Sequence, residues 1–243
     1  MSLPDYMTDR NAVLNDQGVN WRGGKAPNYN KPNALFEAER TQVHASDSLE
    51  FLVENLVKNW EKEASFKTEA VDWRTIDHKV YKFSTNGGSW QSVEDMLRVG
   101  TYNALIGESQ YYSSKNSGFE ESHLTFKQSL RGGFAWECLK VYSGPPVVAF
   151  KWRHWGKFTG KLRCPVSDTE KLVADPSNEN VEIFGVTIAH VNDKFQIESL
   201  ETFYDPAALF NEMLKNSPSV LKCPITGQST GHDDEKETEE ETA

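Results

Sequence analysis

Residues 141–160, VYSGPPVVAFKWRHWGKFTG, constrain what this chain can fold into more than any other stretch. Two short apolar runs flank a Ser-Gly-Pro-Pro turn, and the second run alternates. Val148, Phe150, Trp152 and His154 fall on one face, with Lys151 and Arg153 on the other. Alternation at period two is the signature of a strand with one buried face, and the Gly-Pro-Pro punctuation marks a connection just before it. The apolar face ends in an imidazole bracketed by Trp152 and Trp155. A sheet face that turns from aromatic to ionisable at its end is where a pocket mouth belongs.

The other elements follow from similar patterns. Leu49, Leu52, Val53, Leu56, Val57 and Trp60 predict an amphipathic helix over about 48–65. Ser46-Asp47-Ser48 offers caps for it, Glu50 standing three residues after Asp47 as in a capping box, and Glu50, Glu54, Lys58 and Glu61 take the remaining face. Residues 71–84 are rich in β-branched and aromatic side chains and predict a strand, closed by Asn86-Gly87-Gly88. A second helix is expected from Ser89 or Ser92 toward Ile106, and a further helix or turn over 123–130. Residues 134–142 with 147–158, and 181–191 with 195–204, predict two antiparallel pairs, the second around Asn192-Asp193. Asp205-Pro206 opens a short helix through Leu214, Asp205 capping and Pro206 in the first helical position. Residues 161–180 read as loop.

Helices preceding antiparallel pairs give an α+β order: a cone-shaped, curved antiparallel sheet wrapped on helices, enclosing a concave apolar cavity of the kind that takes small molecules. The predicted organisation has three parts. Residues 1–45 form an extended arm wrapping the body, anchored by Trp21, Tyr29, Leu35 and Phe36, with a short helix near 35–43. Residues 46–216 form the α+β domain, and residues 217–243 a loose acidic tail. From Asp233 the chain carries seven acids against one lysine, which is most of the net charge of −10. The body has no basic stripe, so no nucleic-acid partner is expected. No apolar run approaches a membrane span, and the first ten residues are too polar for a signal peptide. A reducing, cytoplasmic compartment and no membrane partner are the expectation.

Cys138, Cys164 and Cys223 are too few and too scattered for a disulfide framework or zinc site. The Cys-Pro pairs at 164 and 223 are too short a motif to place a haem. His78, His154 and His190 show no ligand spacing, so neither metal nor cofactor is expected. Among candidate site residues, neutral imidazole at His154 suits proton transfer near pH 7; a core histidine bonded to backbone accounts for it equally. Asp205 is a candidate general base and also a good helix cap. Glu201 and Phe203 share its strand face. His190 ends the apolar series Phe184, Val186, Ile188. Trp136, Phe150, Trp152 and Phe203 line a ligand cavity or are plain core.

WRGGKAPNYNKPNALFEAERT, STNGG, GTYNALI, VYSGPPVVAFKWRHWG, VEIFGV and FYDP run through most of the chain. With these motifs it resembles the plant and fungal pathogen-related protein family, in the SnoaL-like branch of the nuclear-transport-factor-two-like superfamily. The resemblance implies the cone-shaped fold and a link to stress response, since the family is named for induction by pathogens rather than for a reaction. SnoaL-like cyclases use an acidic residue at the end of the last strand as general acid/base on a polyketide, and Asp205 in ETFYDPAALF matches it. Their histidine in a Gly-Thr-His-type turn has no counterpart in the turn Gly156 to Gly160, although His154 lies close by. The leading expectation is a protein that binds a small apolar molecule (a secondary metabolite, aromatic or lipid) through Trp136, Phe150, Trp152, His190, Glu201 and Phe203. The alternatives are a cyclase, isomerase or dehydratase using Asp205 and His154, and an interaction module that forms a homodimer through the open sheet face.

Overall fold

The computed structural model describes residues 3–225. In chain order the elements are α1 (Asn30–Glu39), α2 (Leu49–Phe66), β1 (Lys82–Thr85), α3 (Val93–Val99), α4 (Thr101–Ile106) and α5 (Phe119–Ser129). Then come β2 (Phe134–Val141), β3 (Val147–Lys157), β4 (Leu162–Pro165), β5 (Glu170–Ala174), β6 (Asn180–Val191), β7 (Ile197–Tyr204), α6 (Pro206–Leu214) and β8 (Val220–Pro224). No helix among the described residues is long and apolar enough to cross a membrane.

The fold is α+β. The alternating stretch becomes β3, an inner strand of a 5-stranded sheet ordered β1-β7-β6-β3-β2. β3 pairs antiparallel with β2 and β6, and β6 with β7. One half of the sheet packs on α2: Leu52, Val53 and Leu56 of the helix share an apolar space with Val148, Phe150, Ala189 and Leu200 of the strands. The concave core closes tightly. Trp152 donates its indole N–H to Thr187 Oγ1 at 3.0 Å, and Thr187 and Thr202 meet hydroxyl to hydroxyl at 2.9 Å. Gly185 stands opposite Trp152 in the register, and any side chain there would collide with the indole. That glycine is what lets the ring lie flat across β6.

Several sequence expectations are corrected. The strand expected over 71–84 is only Lys82–Thr85, and it runs parallel to β7, so the sheet is mixed. Before it, Arg74 N and Thr75 N donate to the Glu63 carboxylate, and the chain touches β7 through an isolated bridge from Ile76 to Ile197. The helix expected toward Ile106 breaks into α3 and α4 at Gly100. That residue has φ +87°, and a Cβ there would meet the Phe119 ring at 2.9 Å. Residues 161–180 contain β4 and β5, which join β8 in a 3-stranded sheet of order β4-β5-β8. Residues 220–224 are therefore a paired strand rather than loose chain. The acidic segment from Asp233 lies outside the described residues. Of the caps offered for α2, Ser48 is the one used, its Oγ accepting from Phe51 N at 3.2 Å. α1 begins earlier than expected, at Asn30, because Pro32 falls in its first turn, where no intrahelical donor is lost.

The largest correction concerns the polar face of α2. Glu54, Lys58, Lys62 and Glu63 are buried, because residues 5–16 lie across that face. Asn59 donates to Tyr6 O (3.1 Å) and Asp9 O (2.8 Å) and accepts from Val13 N (3.1 Å). Asn55 donates to Met7 O at 3.1 Å, and Lys62 to Arg10 O. Lys67 bridges Glu63 at 2.9 Å and Asp16 at 2.6 Å. Charged and amide side chains on this face hold the arm's backbone instead of facing water.

Candidate functional site

Strand alternation sorts the candidate residues onto two sides of the sheet. Cross-strand partners share a face, so Trp136, paired with His154, joins Phe150, Trp152 and His154 on the side facing α2. Ile188 pairs with Glu201 and Val186 with Phe203, which puts Glu201, Phe203 and His190 on the opposite side. Asp205 lies just past the end of β7, at a groove that α4 also lines. Its Oδ1 accepts from Ala207 N at 2.9 Å, capping α6, and the residue is exposed. The sheet thus does not bring His154 and Asp205 together. Nor does it bring the aromatic trio to His190, Glu201 and Phe203.

Each group has its own surroundings. Trp136, Phe150 and Trp152 are 7%, 1% and 5% exposed, with Trp136 edge-on to Phe150. Packing of this kind leaves little room: the apolar cavity between Phe150, Leu52 and Leu200 measures about 50 Å³. His190 and Glu201 line a shallow pocket of about 360 Å³ with Lys82, Trp90 and Ile188. Asp205 lies at the rim of a polar groove of about 1050 Å³, which also takes in Asn86, Trp90, Arg98 and Glu108. Most polar atoms of that groove are already engaged. Glu108 holds Ser113, Ser114 and Lys115 N, and Asp95 holds Ser92 and Arg98.

His154 sits in a different setting. Its ring stacks on Phe134 at 3.6 Å between centroids, and Nδ1 lies 2.7 Å from Ala135 O. A carbonyl can only accept, so Nδ1 carries the proton and Nε2 keeps its lone pair. Nε2 has no hydrogen-bond partner among the described residues, nor is it among the occluded polar atoms. The charges that bear on the ring come from α2, namely Lys58 and Glu61. Burial first, and Lys58 second, push the imidazole down to about 3, so it is neutral near pH 7.

Glu61 is the hub of this cluster. It accepts from Lys58 Nζ at 2.6 Å and from Tyr29 Oη at 2.8 Å. Burial pushes its carboxyl up, but Lys58, Lys62 and Tyr29 more than reverse this and hold it at about 2. Lys62 is pushed down to about 6, by burial first and then by Lys58. Tyr102 and His123 complete the surroundings, their rings 5.1 Å apart, with Tyr102 stacked on Phe126 at 4.5 Å. His123 spends both nitrogens: Nδ1 donates to Phe119 O and Nε2 accepts from Thr101 Oγ1.

Desolvation and accessibility coincide here. The Glu61 side chain keeps 33% of its surface accessible although burial acts strongly on it. Tyr102, His123, Phe134 and His154 are likewise neither buried nor exposed. They stand together around Glu61, whose charge bears on Tyr102, His123 and His154, and form one partly accessible patch, the recess, between the C-terminal half of α2, α4, α5 and the paired ends of β2 and β3. Tyr29, Lys58 and Glu61 were absent from the candidates read off the sequence, where Lys58 and Glu61 appear as the solvated face of an amphipathic helix. The signal that could have found them is the amide pair Asn55 and Asn59 on the same face, since such residues favour caps and turns over helix interiors.

The opposite face is divided. Over β2 and β3, α1 covers it: Phe36 packs on Ala135 and Trp155, and Arg153 pairs with the buried Glu137 at 2.7 Å. Over β6 and β7 it is open, leaving Phe184 47%, Val186 37% and Phe203 39% exposed.

No family model matches the chain. The pathogen-related protein of Hordeum vulgare is 35% identical to it over 215 residues, covering 84% of this chain and 88% of that protein. Among solved structures, the chain is similar to a candidate SnoaL-like polyketide cyclase from Jannaschia, with 13% identity, 65% of this chain and 89% of the other covered, and a TM-score of 0.35. It is also similar to an NTF2-like protein of unknown function from Cytophaga hutchinsonii, with 12% identity, 71% and 99% covered, and a TM-score of 0.31.

Proposed function

The chain belongs to the pathogen-related protein family, and on that premise we propose that it binds a small, largely apolar molecule in the recess beside His154. The observation that carries this reading is the partial accessibility of Glu61, a carboxylate otherwise enclosed by the fold. A binding site needs a few polar groups at the end of an aromatic-walled hollow, and Glu61, Tyr29 and Lys58 supply them. Tyr102, Phe134 and His123 supply that wall.

An uncharged fluorophore, N-phenyl-1-naphthylamine, tests it. Saturable one-to-one binding is expected, weakened by Tyr102→Ala and unchanged by Asp205→Asn. Asp205→Ala should lower stability by about 1 kcal/mol through loss of its cap, again with binding intact. Absence of saturable binding, or equal loss in the Asp205 and Tyr102 variants, would contradict the reading. An acid/base reaction between Asp205 and His154 draws no support from their surroundings: Asp205 caps α6 at a groove that does not include His154.

A second reading, association with another copy through the open sheet face, is favoured by one observation: the exposed cluster Phe184, Val186 and Phe203. Light scattering that gives a dimer mass for the native chain and a monomer mass for Val186→Glu would support it. A monomer for both would remove it.

A further inference from the structure

We infer that the molecule held in this recess presents a hydroxyl or N–H donor to His154 Nε2, and that its head group is neutral rather than anionic. The inference rests on the binding reading above and adds the chemistry of the ligand's polar end. His154 is fixed in one tautomer by the Ala135 carbonyl, 2.7 Å from Nδ1, and held in one plane by Phe134. Nε2 is thereby left as an acceptor without a partner among the described residues, on a ring that keeps part of its surface accessible. His123, a few ångströms across the aromatic wall from Tyr102, makes the contrast clear. Its Nε2 already accepts from Thr101, so it has no bond left to offer.

The neighbouring charges exclude an anion as the preferred head. Glu61 is the only carboxylate hydrogen-bonded to Tyr29 and Lys58 in this cluster, and Lys58 is already its ion-pair partner at 2.6 Å. The other amine, Lys62, is fully buried and turned to the arm, donating to Arg10 O. Both lysines are thus engaged, Lys58 with Glu61 and Lys62 with the arm, while the His154 nitrogen keeps its lone pair. A ligand that supplied only acceptors would leave the His154 nitrogen unpaired and set its own lone pairs against the Glu61 carboxylate, and unpaired polar groups are the source of strong discrimination between near-isosteric molecules.

Displacement of bound N-phenyl-1-naphthylamine by 2-naphthol and by 2-methoxynaphthalene separates the cases, since the two differ in the donor and little in shape. The native chain should bind 2-naphthol at least tenfold more tightly. His154→Phe keeps a ring on Phe134 but removes the acceptor, so it should bind both equally. Should that variant fail to fold, imidazole ¹⁵N spectra of the native chain give the same answer: Nε2 should shift on adding 2-naphthol and stay fixed on adding 2-methoxynaphthalene. If the fluorophore binds but the two naphthalenes compete equally, or Nε2 does not respond, the donor inference is wrong and the binding reading survives. If the fluorophore does not bind at all, both fall.

Discussion

The charge state of His154 is set by where β3 and β2 place it. A ring that donates through Nδ1 to a strand carbonyl, and that burial and Lys58 hold at about 3, stays neutral where a histidine in the unfolded chain takes up a proton. The unfolded state then binds more protons below its own value of roughly 6.5, so stability is lost as pH falls from there toward the folded value. Urea midpoints measured from pH 7 to pH 4 should therefore decline more steeply for the native chain than for His154→Phe. Parallel declines would show that the imidazole is not desolvated in this way. The residue itself was legible in the sequence as the end of an alternating apolar face. Its partners were not, because Lys58 and Glu61 come from a helix whose polar side reads as solvated until the arm is laid over it.

At the scale of elements, α2 and the arm form one unit. The apolar face of α2 packs on the sheet, as its spacing indicates, and the other face is a row of side chains spent on the backbone of residues 6–13. Asn59 alone satisfies Tyr6 O, Asp9 O and Val13 N. Replacing it by leucine should cost about 3 kcal/mol by leaving these groups unpaired, and should open residues 3–16 to proteolysis before the rest of the chain melts. A leucine variant with native stability and native protease resistance would show that the arm is held by other contacts. Sequence patterning found α2 but misjudged the second strand region, because period and composition do not reveal that Glu63 has claimed the backbone of Arg74 and Thr75. It also passed over β4, β5 and β8: each is short, and β8 shows no buried face to produce alternation.

For the whole molecule, the sheet is a divider. One side is filled by α2 and the tightly packed aromatics of β3, leaving about 50 Å³ in the apolar centre and an ionisable recess at the end where His154 stands. The other side is covered by α1 over β2 and β3 and left open over β6 and β7. Fold class followed from the order of helices and strand pairs. The site did not, since Asp205 is spent on capping α6 and His154 is joined instead to a helix more than eighty residues earlier in the chain. Chemical-shift mapping with 2-naphthol on the isotope-labelled chain tests the account most directly, because it reports on both sides of the sheet at once. The predicted result is a saturable response centred on Glu61, Tyr102, Phe134 and His154, with Val186 and Phe203 unmoved. A response confined to Val186 and Phe203, or none at all, would contradict it.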